Sequence, residues 1–176
     1  MFDGSRKPFA QNVEETARIA EMAHAAEISC EGEIGFVGYD GGEASAGTDP
    51  DEAAAFAAQT GIDAMAISVG NVHLQQNASE GLDEARIREI AAKTDIPLVI
   101  HGGSGVPAAQ RRHLAKTTPI SKFNIGTELR MAFGSALREA VTRDATRFDR
   151  VEILKETHDP LVSAAREVLR TMRGSA

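Results

Sequence analysis

The chain has 176 residues, 42% of them hydrophobic, and a formal net charge of -7, which suffices for one domain with a substantial core. The acidic balance, without a basic block or an aromatic-basic stripe, argues against nucleic acid as a partner. No apolar run approaches the roughly 20 residues of a membrane span, no secretory leader is legible, and the single Cys30 excludes an internal disulfide, so a soluble cytoplasmic protein is expected.

Residues 1–3 read as the stub of a strand, and 13–26 as a helix with Val13, Ala17, Ala20 and Ala23 at helical spacing. A short strand over 28–34 carries Glu31 and Glu33, and the glycine-rich stretch 35–48 reads as a long mobile loop. Asp49-Pro50-Asp51-Glu52 opens a helix with an N-cap acid, a proline in the first turn and acids against the dipole. A strand over 64–70 ends in Asn71-Val72-His73 and leads through a polar loop to a helix near 82–93. The apolar run 97–100 runs into His101, and Val106-Pro107 opens a helix to about 115. The last strand, 120–125, precedes a helix with Leu129, Phe133, Leu137 and Val141 on one face, and a final helix covers 160–172.

This β-α alternation predicts an α/β fold with a parallel sheet, of the (β/α)8 TIM-barrel type. Four strands and a stub are only about half of such a barrel, which takes typically about 250 residues. The expected architecture is therefore one partial barrel over 1–176, strands five to eight plus a stub of strand four, with a helical extension at about 145–176. Its two open edges expose unpaired backbone groups and invite pairing with another chain or with the rest of a longer one.

The chemistry gathers at the carboxyl ends of the strands. His73 and His101 end successive apolar strands at the rim where such barrels carry their sites, and neutral imidazole is the commonest protein ligand for zinc. Glu31 and Glu33 project to the same face of one strand, and Glu33, nearer its end, is the better metal candidate. Asp3, at the end of the stub, offers another oxygen ligand. Gly102-Gly103-Ser104 and Asn124-Ile125-Gly126-Thr127 follow the last two strands, where barrels of this type frequently bind phosphate through backbone N–H groups. Glu43, in the loop Gly41-Gly42-Glu43, is placed to deliver a general base over a bound substrate. Cys30, His24, His113 and His158 share no focus and read as structural or surface residues.

Together these segments resemble the zinc-dependent class II ketose-bisphosphate aldolases, the fructose- and tagatose-bisphosphate aldolase family. The resemblance rests on Phe2-Asp3-Gly4-Ser5, Glu31-Gly32-Glu33-Ile34-Gly35, Gly41-Gly42-Glu43, Gly70-Asn71-Val72-His73, His101-Gly102-Gly103-Ser104-Gly105 and Asn124-Ile125-Gly126-Thr127-Glu128-Leu129. It implies that His73 and His101 bind zinc, that Glu33 and Asp3 bind metal at a second or alternative site, where a second divalent or a monovalent cation can join the zinc, and that Glu43 moves the proton. It further implies that Leu74, Gly102, Gly103, Ser104, Asn124, Ile125, Gly126 and Thr127 hold dihydroxyacetone phosphate. The implied reaction is reversible aldol cleavage of a phosphorylated ketose by a homo-oligomer, dimer or tetramer.

Three departures stand out. The family's upstream Asp-His pair, which supplies a third zinc histidine and a catalytic acid, has no counterpart within 1–176, so this chain alone is expected to be inactive. Leu74 replaces the glycine usual after the zinc histidine. Gly126 stands where fructose-specific members have aspartate, which leaves fructose, tagatose and related ketose phosphates open. Two other readings remain: a non-catalytic half-barrel that binds metal or a phospho-ligand and dimerises through its open edges, and a metal-free phosphate-binding isomerase.

Overall fold

The computed structural model describes residues 1–76 and 81–173. Five parallel strands lie in sequential order: β1 (Phe2–Asp3), β2 (Glu31–Ile34), β3 (Ala64–Ile67), β4 (Leu98–Ile100) and β5 (Ile120–Phe123). Helices α1 (Phe9–Ala25), α2 (Pro50–Thr60), α3 (Glu84–Ala91) and α4 (Ala108–Thr117) connect them, and α5 (Thr127–Arg143), α6 (Arg150–Lys155) and α7 (His158–Arg173) follow. Unbroken sequential order belongs to a barrel wall, so the α/β expectation of a partial TIM barrel holds. Within the described sheet β1 and β5 each have one neighbour, leaving both edges open.

The register explains why one face of this sheet is a core and the other a site. Gly32 pairs with Met65 and Met65 with Leu98, while Ile34 pairs with Ile67 and Ile67 with Ile100. These positions face the helices, where they join Phe56, Ile87, Ile90 and Leu114 in the main apolar cluster. Gly32 is required there, because a Cβ would lie 2.9 Å from Thr16 and 3.1 Å from Phe56. The alternating positions, Asp3, Glu33, Ala66, Val99 and Lys122, fall in register on the opposite face.

Several boundaries differ from expectation, each for a local reason. The helix expected at 13–26 begins at Phe9, behind Pro8, and α1 closes on Glu27 in the left-handed region (φ 57), whose neighbour Ile28 donates its N–H to the Ala23 carbonyl. That closure shortens the expected strand 28–34 to Glu31–Ile34. The strand expected at 64–70 stops at Ile67, because the Ser68 and Val69 N–H groups are taken by Thr48 Oγ1 and Asn71 Oδ1. The stretch 35–48 is pinned rather than free: Phe36 and Ala46 pair antiparallel, and Tyr39 bridges His73. The short helix α6, capped by Asp149, falls inside the expected helical extension at about 145–176, ahead of the helix expected at 160–172. Part of the polar loop expected after β3, 77–80, and the end of the expected extension, 174–176, lie outside the described residues.

Candidate active site

His101 sits 5% exposed at the end of β4, with both ring nitrogens facing carboxylates. Nδ1 lies 3.0 Å from Glu33 Oε2 and Nε2 lies 2.9 Å from Glu31 Oε1. Lys122 Nζ, from β5, reaches the other oxygen of Glu31 at 2.6 Å. Burial by itself would push the His101 pKa down, but the hydrogen bonds to Glu33 and Glu31 override it and hold the imidazole above its ordinary value. Burial acts against ionised Glu31 too, and the bonds from Lys122 and His101 outweigh it, so its carboxyl stays below the usual range.

His73 is in the opposite state. Burial lowers its pKa, and the nearby charge of Glu33 only partly offsets this, so the neutral imidazole is favoured relative to a free histidine. Its ring centre is 6.2 Å from that of His101 and 5.1 Å from that of Tyr39. Two imidazoles on one tetrahedral zinc have ring centres about 5 Å apart, given Zn–N bonds of roughly 2.0–2.1 Å. The pair is therefore about 1 Å wider than a shared ion needs. Imidazole and carboxylate donors suit zinc chemically, and a divalent ion would take the place of the proton between His101 and Glu33. As they stand, no three His, Cys, Asp or Glu side chains among the described residues converge on one ion. Asp3 pairs in register with Glu33, but its carboxylate is engaged locally, accepting from the N–H (3.0 Å) and the hydroxyl (2.7 Å) of Ser5.

The second half of the site is made mostly of backbone. Gly102 has a left-handed φ of 61°, and a Cβ there would lie 2.4 Å from the Val72 carbonyl oxygen, so glycine alone lets the two loops cross. The 3-10 turn Gly103–Gly105 follows, with the Gly103 N–H donated to the Asn124 carbonyl at 3.0 Å. Ser104 Oγ then accepts from the N–H groups of Gly126, Thr127 and Glu128 at 3.1, 3.0 and 3.3 Å. It caps α5 from a different loop and occupies the donors an anion would use.

A cavity of about 610 Å³ opens between this corner and His73. Leu74, Gly102 and Ser104 line it on one side, and Asn124, Ile125, Gly126 and Thr127 on the other, while Gly103 is buried beneath. Leu74 holds a left-handed φ of 58°, which explains why glycine is the usual residue in the resembling family and strains this one. Glu43 is not gathered with the histidines: its carboxylate pairs with Arg6 at 2.8 Å, and Arg6 in turn stacks 4.2 Å over the Phe36 ring.

Three residues of the site escaped the sequence reading as functional groups. Arg130, in the first turns of α5, lines the cavity without an ion pair among the described residues. Asn71 is 1% exposed, and its Nδ2 donates to the His101 carbonyl at 2.9 Å and its Oδ1 accepts from Val69, tying the two histidine loops together. Lys122 reads in sequence as one polar residue of an edge strand, and only strand register delivers it to Glu31.

The model of the class II fructose-bisphosphate aldolase family matches residues 1–176, the whole chain. The chain belongs to that family. A fructose-bisphosphate aldolase of Geobacillus stearothermophilus is 36% identical over 165 residues, covering 92% of this chain and 57% of its own length. Among solved structures, the YdjI aldolase of Escherichia coli K12 superposes with a TM-score of 0.78 at 28% identity, over 97% of this chain and 58% of that one. A provisionally named fructose-1,6-biphosphate aldolase of Coccidioides immitis reaches a TM-score of 0.81 at 22% identity, over 98% and 62% of the two chains, and shares the fold. This family member thus spans about three-fifths of the length of these relatives. No helix among its described residues is long and apolar enough to cross a membrane.

Proposed function

We propose that residues 1–176 form the phosphate-binding end, and part of the metal-binding end, of a class II aldolase. The substrate would be a ketose 1,6-bisphosphate of the fructose or tagatose type, cleaved reversibly to dihydroxyacetone phosphate and an aldehyde. One observation carries this reading: the paired histidines His73 and His101 adjoin an anion corner whose donors, at the start of α5, are already organised around the Ser104 hydroxyl.

In this scheme the phosphate of the triose half takes the place of the Ser104 hydroxyl on the N–H groups of Gly126 and Thr127, the hydroxyl turns to donate to it, and the reacting carbons are fixed relative to the histidines. Arg130 offers its guanidinium to the second phosphate, for which a planar fork of donors is suited. Glu43 leaves Arg6 and carries the proton to and from the carbon beside the ketose carbonyl. His73 and His101, with Glu33, are the residues that would hold zinc, and Asp3 would serve a second divalent or a monovalent cation. Zinc, when bound, supplies the Lewis acidity that draws electron density from the ketose carbonyl.

Because a third imidazole and a catalytic aspartate have no counterpart in 1–176, the isolated chain is expected to bind zinc weakly and to show no turnover. Calorimetric titration with zinc and a coupled assay on both bisphosphates test this, and ordinary turnover by the purified chain would refute the assignment of an incomplete site. The phosphate reading is tested separately: dihydroxyacetone phosphate should perturb the amide resonances of residues 124–128, and Ser104→Ala should abolish the perturbation. The reading includes a cytoplasmic homo-oligomer without nucleic-acid or membrane partners. The open edges at β1 and β5 favour one alternative, a non-catalytic half-barrel that pairs edge to edge. Two chains per particle by light scattering, with ligand binding but no cleavage even after the family's upstream segment is added, would select it.

A further inference from the structure

Arg111, on α4, is 4% exposed and lies directly behind the anion corner. Its Nη1 donates to the Gly103 carbonyl at 3.3 Å and to Glu128 Oε1 at 2.6 Å, while its Nε, also buried, has no partner among the described residues. One guanidinium thus joins the 3-10 turn after His101 to the first turn of α5. Arg111 is buried but the Glu128 side chain is 34% exposed, and a partly solvated Arg–carboxylate pair of this kind contributes little to stability. Its presence here calls for another reason.

Glu128 supplies it. The N–H of Glu128 is one of the three donors gathered by Ser104, so its carboxylate belongs to the same helix N-terminus that would receive an anion. An acid in the first turn favours the helix by itself, but it repels a second negative group placed on the same N–H donors. We infer that Arg111 is a positioning residue that neutralises Glu128, holds its carboxylate off the α5 N-terminus, and keeps the Gly103 turn in place so that a phosphate group can occupy the corner. This rests on the reading of that corner as a phosphate site and names the residue that makes it compatible with an adjacent acid.

Inorganic phosphate, titrated calorimetrically into the purified chain at low and moderate ionic strength, is the probe. Arg111→Gln should weaken phosphate binding about tenfold, the loss shrinking with salt, and Arg111→Lys, which keeps the charge, should stay within about threefold of the parent. Neutralising the acid as well, in Arg111→Gln/Glu128→Gln, should return the affinity to within about threefold, a rescue that a purely structural clamp would not give. Glu128→Gln alone, which leaves the guanidinium charge beside the corner, should tighten phosphate several-fold and keeps the question answerable if Arg111→Gln does not fold. Phosphate affinity that ignores all these charge changes overturns the inference alone, as does a double variant that binds as weakly as Arg111→Gln. A parent chain that binds no phosphate overturns the site reading and the inference together.

Discussion

The proposed metal end and the proposed phosphate end of this site solve opposite problems. The phosphate end is built from backbone donors that carry no net charge, collected at a helix terminus and held together by one hydroxyl and one buried guanidinium. It is organised before any ligand arrives. The metal end is built from ionisable side chains, Glu31, Glu33, His101 and Lys122, that satisfy one another through ion pairs. Buried charges cannot wait unpaired, so in the absence of a cation they pair among themselves. The difference teaches that pre-organisation is cheap where the donors are neutral amides, whereas buried charged groups need an internal counter-ion, which a bound cation would have to displace.

Substitutions that separate the two ends test that contrast. The largest effect is expected at His101→Ala, which leaves buried Glu33 and the 11% exposed Glu31 side chain without the imidazole between them. The fold should lose about 3 kcal/mol in urea unfolding of the metal-free protein, the magnitude for stranding one partner of a buried pair. Phosphate binding by the folded fraction should change little. A loss below about 1 kcal/mol would mean that water or Lys122 already compensates the carboxylates.

Gly102→Ala comes next and acts on the other end. A Cβ placed 2.4 Å from the Val72 carbonyl oxygen, at a left-handed φ, should cost about 2 kcal/mol by the same measurement. The displaced turn should weaken phosphate binding more than zinc uptake, although the same Cβ would also lie 3.1 Å from the backbone nitrogen of His73. Equal losses of both ligands would erase the distinction between the ends.

The pH profile of the metal-free protein reads the metal end alone. His101 has a raised folded pKa, so its contribution is complete below the unfolded value of about 6.5 and is lost as pH rises through the folded value. His73 has a depressed folded pKa, so its burial costs nothing above about 6.5 and destabilises as pH falls through that value toward the folded one. Stability should therefore peak near pH 6.5, with Glu31→Gln flattening the alkaline limb and His73→Gln the acid limb. A profile that rises steadily between about pH 6 and 8 contradicts a raised His101 pKa and a lowered His73 pKa.

The smallest effect is expected at Leu74→Gly. Relief of the left-handed strain should raise stability by about 1 kcal/mol, seen as a higher denaturant midpoint with an unchanged slope. Because Leu74 borders the cavity beside His73, a gain in stability accompanied by altered phosphate affinity would show that the side chain also shapes the pocket.

Residues 1–176 alone determined the β-α alternation, the strand that runs into His101 and the glycine turn that follows it, whereas His73 falls in the loop after β3 rather than at a strand end. These follow from local physics: the spacing of apolar residues, proline and acids at helix starts, and backbone that only glycine adopts. The family was legible too, because its motifs are short contiguous segments at strand ends. Tertiary structure decided the rest. Glu31 meets His101 across 70 residues and Lys122 across 91, and no periodicity specifies which strands become neighbours in which register. The fold of stretch 35–48, the tie from Asn71, the exposure of Arg130 to the cavity and the Arg111–Glu128 clamp all arise between elements distant in sequence. A strand's pattern says which face a side chain takes. Only the packed sheet says what charge stands opposite it, and that decides whether a carboxylate is a ligand, a counter-ion or a solvated surface group.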